Sequence, residues 1–175
     1  PGLEKEYIER LKSKVKGFII FLSDGYLNTR HSRKLLESLQ KENIPFVLID
    51  RHIPGFETDF VGTDNFAGAY NAVTELIREA YDDVACVICS DWQKRSALIE
   101  RLEGYKKAVR DGGRNEVVLE VERKNPDMPI VKEFFEKGKN RAVFTTEIME
   151  AVNITGQSRL VVPGELGIIG FDKVE

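Results

Sequence analysis

Short runs that are apolar throughout, rather than alternating, recur along this chain between stretches whose apolar residues fall at helical spacing. The strands read from this pattern are Gly17-Phe18-Ile19-Ile20-Phe21-Leu22, Pro45 to Asp50, Val84 to Cys89, Val117 to Val121, Ala142 to Thr145 and Leu166 to Ile169, with Asp50, Glu120 and Thr145 the polar residues among them. A strand apolar on both faces needs cover on both, which a parallel sheet with helices above and below provides. The expected fold class is therefore α/β and doubly wound.

The intervening stretches read as helices. They are Glu4 to Lys14 with Tyr7, Ile8 and Leu11 in phase, and Ser32 to Lys41 with Leu35, Leu36 and Leu39 on one face. Thr63-Asp64 reads as an N-cap for a helix running to Ala80, with Ala69, Val73, Leu76, Ile77 and Ala80 inward. Ser96 to Arg110 repeats Leu98, Leu102, Tyr105 and Val109, and Gly112-Gly113 ends it. Ile130 to Lys137 and Glu147 to about Ile154 complete the set. Phe60-Val61 is a short extended piece, and Pro54, Gly55 and polar residues up to Asp64 interrupt the alternation. The expected division is a first lobe over 1–63, a second over 64–172, and the start of a crossing back at 173–175. Val162 to Asp172 reads as turn, buried strand and turn; a chain that stops three residues later is expected to be a piece of a longer one.

With 42% hydrophobic residues in 175, the chain can bury a core without disulfides. A net charge of −3 gives no basic footprint for a phosphate backbone, so these residues are not expected to bind nucleic acid themselves. No run approaches the length of a membrane-spanning helix. Cys86 and Cys89, three apart on a strand, point to opposite faces and converge neither on a metal nor on each other. They are expected as buried structural cysteines, which favours a reducing cytoplasm.

Ligands of open parallel sheets bind beyond the carboxyl ends of the strands. The candidates are thus Ser23 and Asp24, Asp50 and Arg51, Ser90, Asp91 and Trp92, and Thr146 and Glu147. Carboxylates that accept two hydrogen bonds, an arginine that donates several and an aromatic face suit a polyol or sugar. Enzyme signatures are absent: there is no dinucleotide or phosphate-loop glycine pattern and no G-x-S-x-G. Of the two histidines, His31 opens a polar helix and is expected in solvent, while His52 follows Arg51 near the strand end. No metal-ligand spacing and no cofactor motif is present.

Four motifs, in order, resemble the effector-binding domain of the lactose-repressor family, whose fold is that of periplasmic sugar-binding proteins. They are Val47-Leu48-Ile49-Asp50-Arg51, Val61-Gly62-Thr63-Asp64-Asn65-Phe66-Ala67-Gly68-Ala69, Arg101-Leu102-Glu103-Gly104-Tyr105-Lys106-Lys107-Ala108, and Val162-Pro163 through Gly170-Phe171-Asp172. The resemblance implies two lobes, each a parallel sheet flanked by helices, with the first lobe incomplete. It also implies a small polar effector, most simply a sugar, in the cleft between lobes, and control of DNA by a headpiece missing from this chain, in a homodimer.

By the resemblance, Asp50, Arg51, Arg101 and Arg95 match effector-binding positions, while Asp64, Asn65 and Asp172 match the crossings between lobes. The family usually carries Asn-Asp where this chain has Thr146-Glu147, so Glu147 is expected to reach the ligand with one methylene more. The short segment Glu122 to Met128 lacks the family's usual aspartate-aromatic pair, which leaves Trp92 as the candidate stacking residue. The alternatives are a sugar-binding protein for transport and an α/β enzyme with Asp50 and Glu147 as acid-base pair.

Overall fold

The structure, a computed structural model, describes residues 3–22, 30–122, 128–138, 140–157 and 166–172. Ser23 and Asp24, the core of the Glu122 to Met128 segment and the predicted crossing at 173–175 lie outside those residues. The chain divides into two compact units, Pro1–Thr63 with Lys94–Ala97, and Asp64–Gln93 with Leu98–Glu175.

The first unit contains helix α1 (Leu3–Leu11), strand β1 (Phe18–Phe21), helix α2 (Arg30–Lys41) and strands β2 (Phe46–Ile49) and β3 (Asp59–Val61). The strands form a parallel sheet in the order β1-β2-β3. Ile8, Leu36 and Leu39 from the helices close over Leu48, with Phe18, Ile20 and Phe46 packed against them. The expectation of strands buried on both faces fails here. Ile19 is 74% exposed and Phe21 51%, and β3 is exposed along its length. The physical reason is that both helices contribute to one cluster on one side of the sheet, while β1 and β3 are its edges.

In the second unit the two central strands meet the expectation, and the edge strands meet it in part. Its elements are α3 (Asn65–Arg78), β4 (Asp83–Cys89), a 3-10 turn at Trp92–Lys94 whose last residue falls in the first unit, α4 (Ser96–Asp111), which belongs to this unit from Leu98 on, β5 (Val118–Val121), α5 (Pro129–Glu136), β6 (Arg141–Thr145), α6 (Ile148–Gln157) and β7 (Leu166–Gly170). The sheet is parallel, in the order β5-β4-β6-β7. Period-two alternation sends Val84, Cys86 and Ile88 into one core with α3 and α4, and Ala85 and Val87 into another with α5 and α6. Cys86 and Cys89 are buried and free.

One inward assignment is corrected: Ala80 is exposed, two residues past the end of α3, at φ +62°. The chain turns left-handed there to enter β4, and Asn140 Nδ2 donates to the Ala80 carbonyl at 2.8 Å. The stretch Arg101 to Tyr105 explains how α4 is seated. A Cβ on Gly104 would collide with the Phe66 carbonyl and come within 3.0 Å of Ala69 Cβ, so only glycine lets α4 lie this close to α3. The wholly buried Tyr105 places its hydroxyl 3.0 Å from the Val84 carbonyl and 2.9 Å from the Val117 carbonyl, and accepts from the Val117 N–H at 2.8 Å.

Chemical denaturation should therefore show Gly104→Ala and Tyr105→Phe each costing about 2 kcal/mol, the first by overpacking and the second by stranding buried backbone groups. A loss below about 0.5 kcal/mol for both would contradict this account of the helix contact.

Candidate functional site

Strand order locates a crevice in the second unit. β4 has β5 on one side and β6 on the other. β4 leads to α4, which packs on one face, and β6 leads to α6, which packs on the opposite face. Because the two exits diverge, the carboxyl ends of β4 and β6 leave a gap between them, the topological switch point at which open sheets bind ligands. The residues at this gap are Cys89, Ser90 and Asp91 on one side and Thr146 and Glu147 on the other.

Arg101, projecting from α4, is 8% exposed. Its Nε donates to Asn65 Oδ1 at 2.9 Å, and its Nη1 donates to the Thr146 carbonyl at 2.7 Å and lies 3.4 Å from Asp172 Oδ2. The guanidinium stacks 3.6 Å from the centre of the Phe171 ring. That ring lies against α3 where Gly68 leaves room; a Cβ there would approach it to 2.9 Å. Asn65 in turn donates to Glu100 at 3.0 Å, and Asp64 caps α3 by accepting from the Ala67 N–H at 2.9 Å.

On the other side of the gap, the Cys89 sulfur lies 3.1 Å from Glu150 Oε1 and 3.3 Å from Glu147 Oε2. One S–H proton thus faces two carboxyl groups. Glu150 stands at the third position of α6, and its Oε2 accepts from the Glu147 N–H at 3.0 Å, which is one half of a capping box. Burial raises the Glu150 carboxyl from 4.5 to about 7. Burial first, and then Glu150 and Glu147, push the Cys89 thiol well up. A cavity of about 290 Å³ opens here, lined by Cys89, Glu122, Met128, Glu147, Glu150 and Asp172 among others. The sulfur and one oxygen from each carboxylate lie within 4.8 Å of one another, a set that a metal ion could use.

The other sequence candidates are placed as follows. Trp92 is half-buried against the α3/α4 core, and its indole N–H donates to Glu120 at 3.1 Å. Asp91 is exposed and Arg95 half-buried. In the first unit, Asp50 is exposed at the end of β2 with φ +64°, and its carboxylate lies 3.4 Å from Arg51 Nε. Arg51 donates to the Leu22 carbonyl at 3.1 Å and stacks over Phe21 at 4.8 Å, so it ties the ends of β1 and β2. His31 is exposed on α2, and His52 packs edge-on against Phe60. Asp172 is exposed at φ +73°. Glu150, Cys89 and Phe171 take up positions at this gap that sequence reasoning did not assign to them individually. The signal for Glu150 was a glutamate three residues after Glu147, the expected start of a helix that begins at Ile148, and for Phe171 its place in the motif ending in Asp172.

Residues 2–142 match the family described as periplasmic binding proteins and sugar binding domain of the LacI family. The chain belongs to this family. An HTH-type transcriptional repressor PurR of Histophilus somni (strain 2336) is 27% identical over 192 residues, covering 99% of this chain and 53% of that protein. An HTH-type transcriptional regulator GalR of Escherichia coli (strain K12) is 29% identical over 147 residues, covering 79% of this chain and 42% of its own length. The chain thus spans about half the length of such relatives. A LacI transcriptional regulator from Lactobacillus brevis superposes with a TM-score of 0.75 at 19% identity, over 98% of this chain and 65% of that one, which shows the family's fold.

Glu150 lies at the switch point of the second unit's sheet, and its burial gives a pH dependence with a defined sign. A carboxyl raised in the folded state contributes stability that is full below about 4.5 and is lost as pH rises through about 7. Measured with a chelator present, the native chain should lose on the order of 2–3 kcal/mol more than Glu150→Gln between those limits. Parallel stability profiles for the two proteins would show that Glu150 does not titrate in this window.

Proposed function

We propose that this chain is the ligand-sensing part of a transcriptional regulator. It binds a small polar effector, most simply a sugar, and the bound effector changes the DNA affinity of a segment outside these residues. The carrying observation is the crevice of the second unit, where Arg101, Glu147 and Asp172 gather polar groups at the switch point of a sheet in a chain of this family. Support for the regulatory reading comes from relatives named as HTH-type repressors and regulators. Support for a sugar comes from the family's description and from the match between carboxylate and guanidinium groups and paired hydroxyls.

In this reading Arg101 and Glu147 contact the effector and Trp92 offers an aromatic face; Asp50 and Arg51 are proposed effector contacts too. Arg95, Ser23 and Asp24 are further contacts by the same reasoning. The effector acts only through its unequal affinity for two states of the regulator, so effector and operator DNA alter each other's binding by the same factor. The working form is a homodimer in the cytoplasm, and its chemistry is binding rather than turnover.

The test is a thermal-shift screen of pentoses, hexoses, their phosphates, amino acids and nucleobases. A cognate sugar at a hundred times its Kd should stabilise the protein by about 2.7 kcal/mol. Asp50→Asn, which keeps a residue tolerant of φ +64° while removing the exposed charge, should weaken that sugar at least tenfold without lowering the melting temperature of the free protein. The sugar assignment is wrong if only a non-sugar class shifts the melting temperature, and the sensing role is wrong if a bound effector leaves operator affinity unchanged.

A further inference from the structure

The geometry points to a divalent transition-metal site made by Cys89, Glu147 and Glu150 at the switch point of the second unit, with Zn²⁺ as the fitting ion and its remaining position facing the 290 Å³ cavity. The inference does not depend on which effector the protein senses.

Three observations carry it. The first is spacing. Zn²⁺ holds sulfur at about 2.3 Å and carboxylate oxygen at about 2.0–2.2 Å, so a tetrahedral centre sets sulfur and oxygen about 3.5 Å apart. The Cys89 sulfur lies 3.3 Å and 3.1 Å from the two carboxylate oxygens, so a small outward movement of each ligand admits the ion. The second is ligand support. Glu150 is held by the Glu147 N–H at 3.0 Å and by the Thr146 hydroxyl at 3.4 Å, both on its Oε2, which leaves Oε1 turned to the sulfur. Such bonds fix a coordinating carboxylate before the metal arrives.

The third is composition and access. One thiol and two carboxylates with an open fourth position is a set suited to zinc, whereas magnesium and calcium take oxygen ligands alone. The cavity supplies both a route in and a place for a water or a polar group of a bound molecule. Glu122 and Asp172 also line it and add acidic groups around the entrance. Cys86, which points into the opposite core with Val84 and Ile88, takes no part. Binding is a ligand exchange without redox change: the Cys89 thiol loses its proton to solvent, Glu150 loses one where it holds one, and the ion sheds the water molecules that the three side chains replace.

The test uses purified protein stripped with a chelator and titrated with Co²⁺ as a spectroscopic substitute, followed by competition with Zn²⁺. One equivalent of Co²⁺ should produce a thiolate-to-cobalt charge-transfer band in the near ultraviolet, and Zn²⁺ should remove it. Cys89→Ala should abolish the band, Glu147→Gln should weaken Co²⁺ at least tenfold while keeping the band, and Cys86→Ala should leave both unchanged. Circular dichroism checks that each variant folds; if Cys89→Ala does not, the half-buried Glu147→Gln decides alone. Absence of the band, its loss with Cys86→Ala, or unchanged affinity in Glu147→Gln would overturn the site.

Discussion

The second unit is organised around one buried guanidinium. Arg101 has to be satisfied where it lies, since an uncompensated buried charge costs several kcal/mol. Its partners come from three separate elements: Asn65 at the start of α3, the Thr146 carbonyl after β6 and Asp172 after β7. Phe171 closes the arrangement by lying flat against the cation, and Gly68 lets the ring reach α3. The strand ends that build the crevice are therefore held by the same group that offers it positive charge. Arg101 is a structural tie first, and whatever it does for an effector is done from that fixed position.

Much of this was legible in the sequence. Uniformly apolar runs gave the strands of the second unit, because β4 and β6 are covered on both faces and need no polar alternation. Gly104 and Tyr105 were legible as part of a motif, and the structure supplies their reasons in the α3/α4 approach and in the hydroxyl that serves two strands. The first unit was misread for a physical reason: Ile19 and Phe21 look like buried strand residues, yet exposure depends on what packs against a strand and not on the strand's composition.

The acidic side of the crevice was not legible. Cys89 lies 58 residues from Glu147 and 61 from Glu150, and only the parallel pairing of β4 with β6 brings them together. Spacing arguments exclude metal sets formed within one element; they say nothing about sets formed across a switch point. The rule that Cys86 and Cys89 face opposite ways held, and it also sent Cys89 alone to the face where α6 begins.

The turn Thr146-Glu147 joins the two halves of the crevice. The Thr146 carbonyl accepts from Arg101, its N–H donates to the Val87 carbonyl at 3.0 Å, and the Glu147 N–H donates to Glu150. Every one of these bonds is to a different element, so the turn cannot shift toward one partner without lengthening a bond to another. Buried hydrogen bonds resist such stretching because no water replaces what is lost. A ligand that draws the Glu147 backbone toward itself therefore pulls on the bond to Arg101, whose other partners stand at the start of α3 and after the end of β7. Coupling of this kind needs no large motion at the ligand, only a turn whose backbone groups have no spare partners.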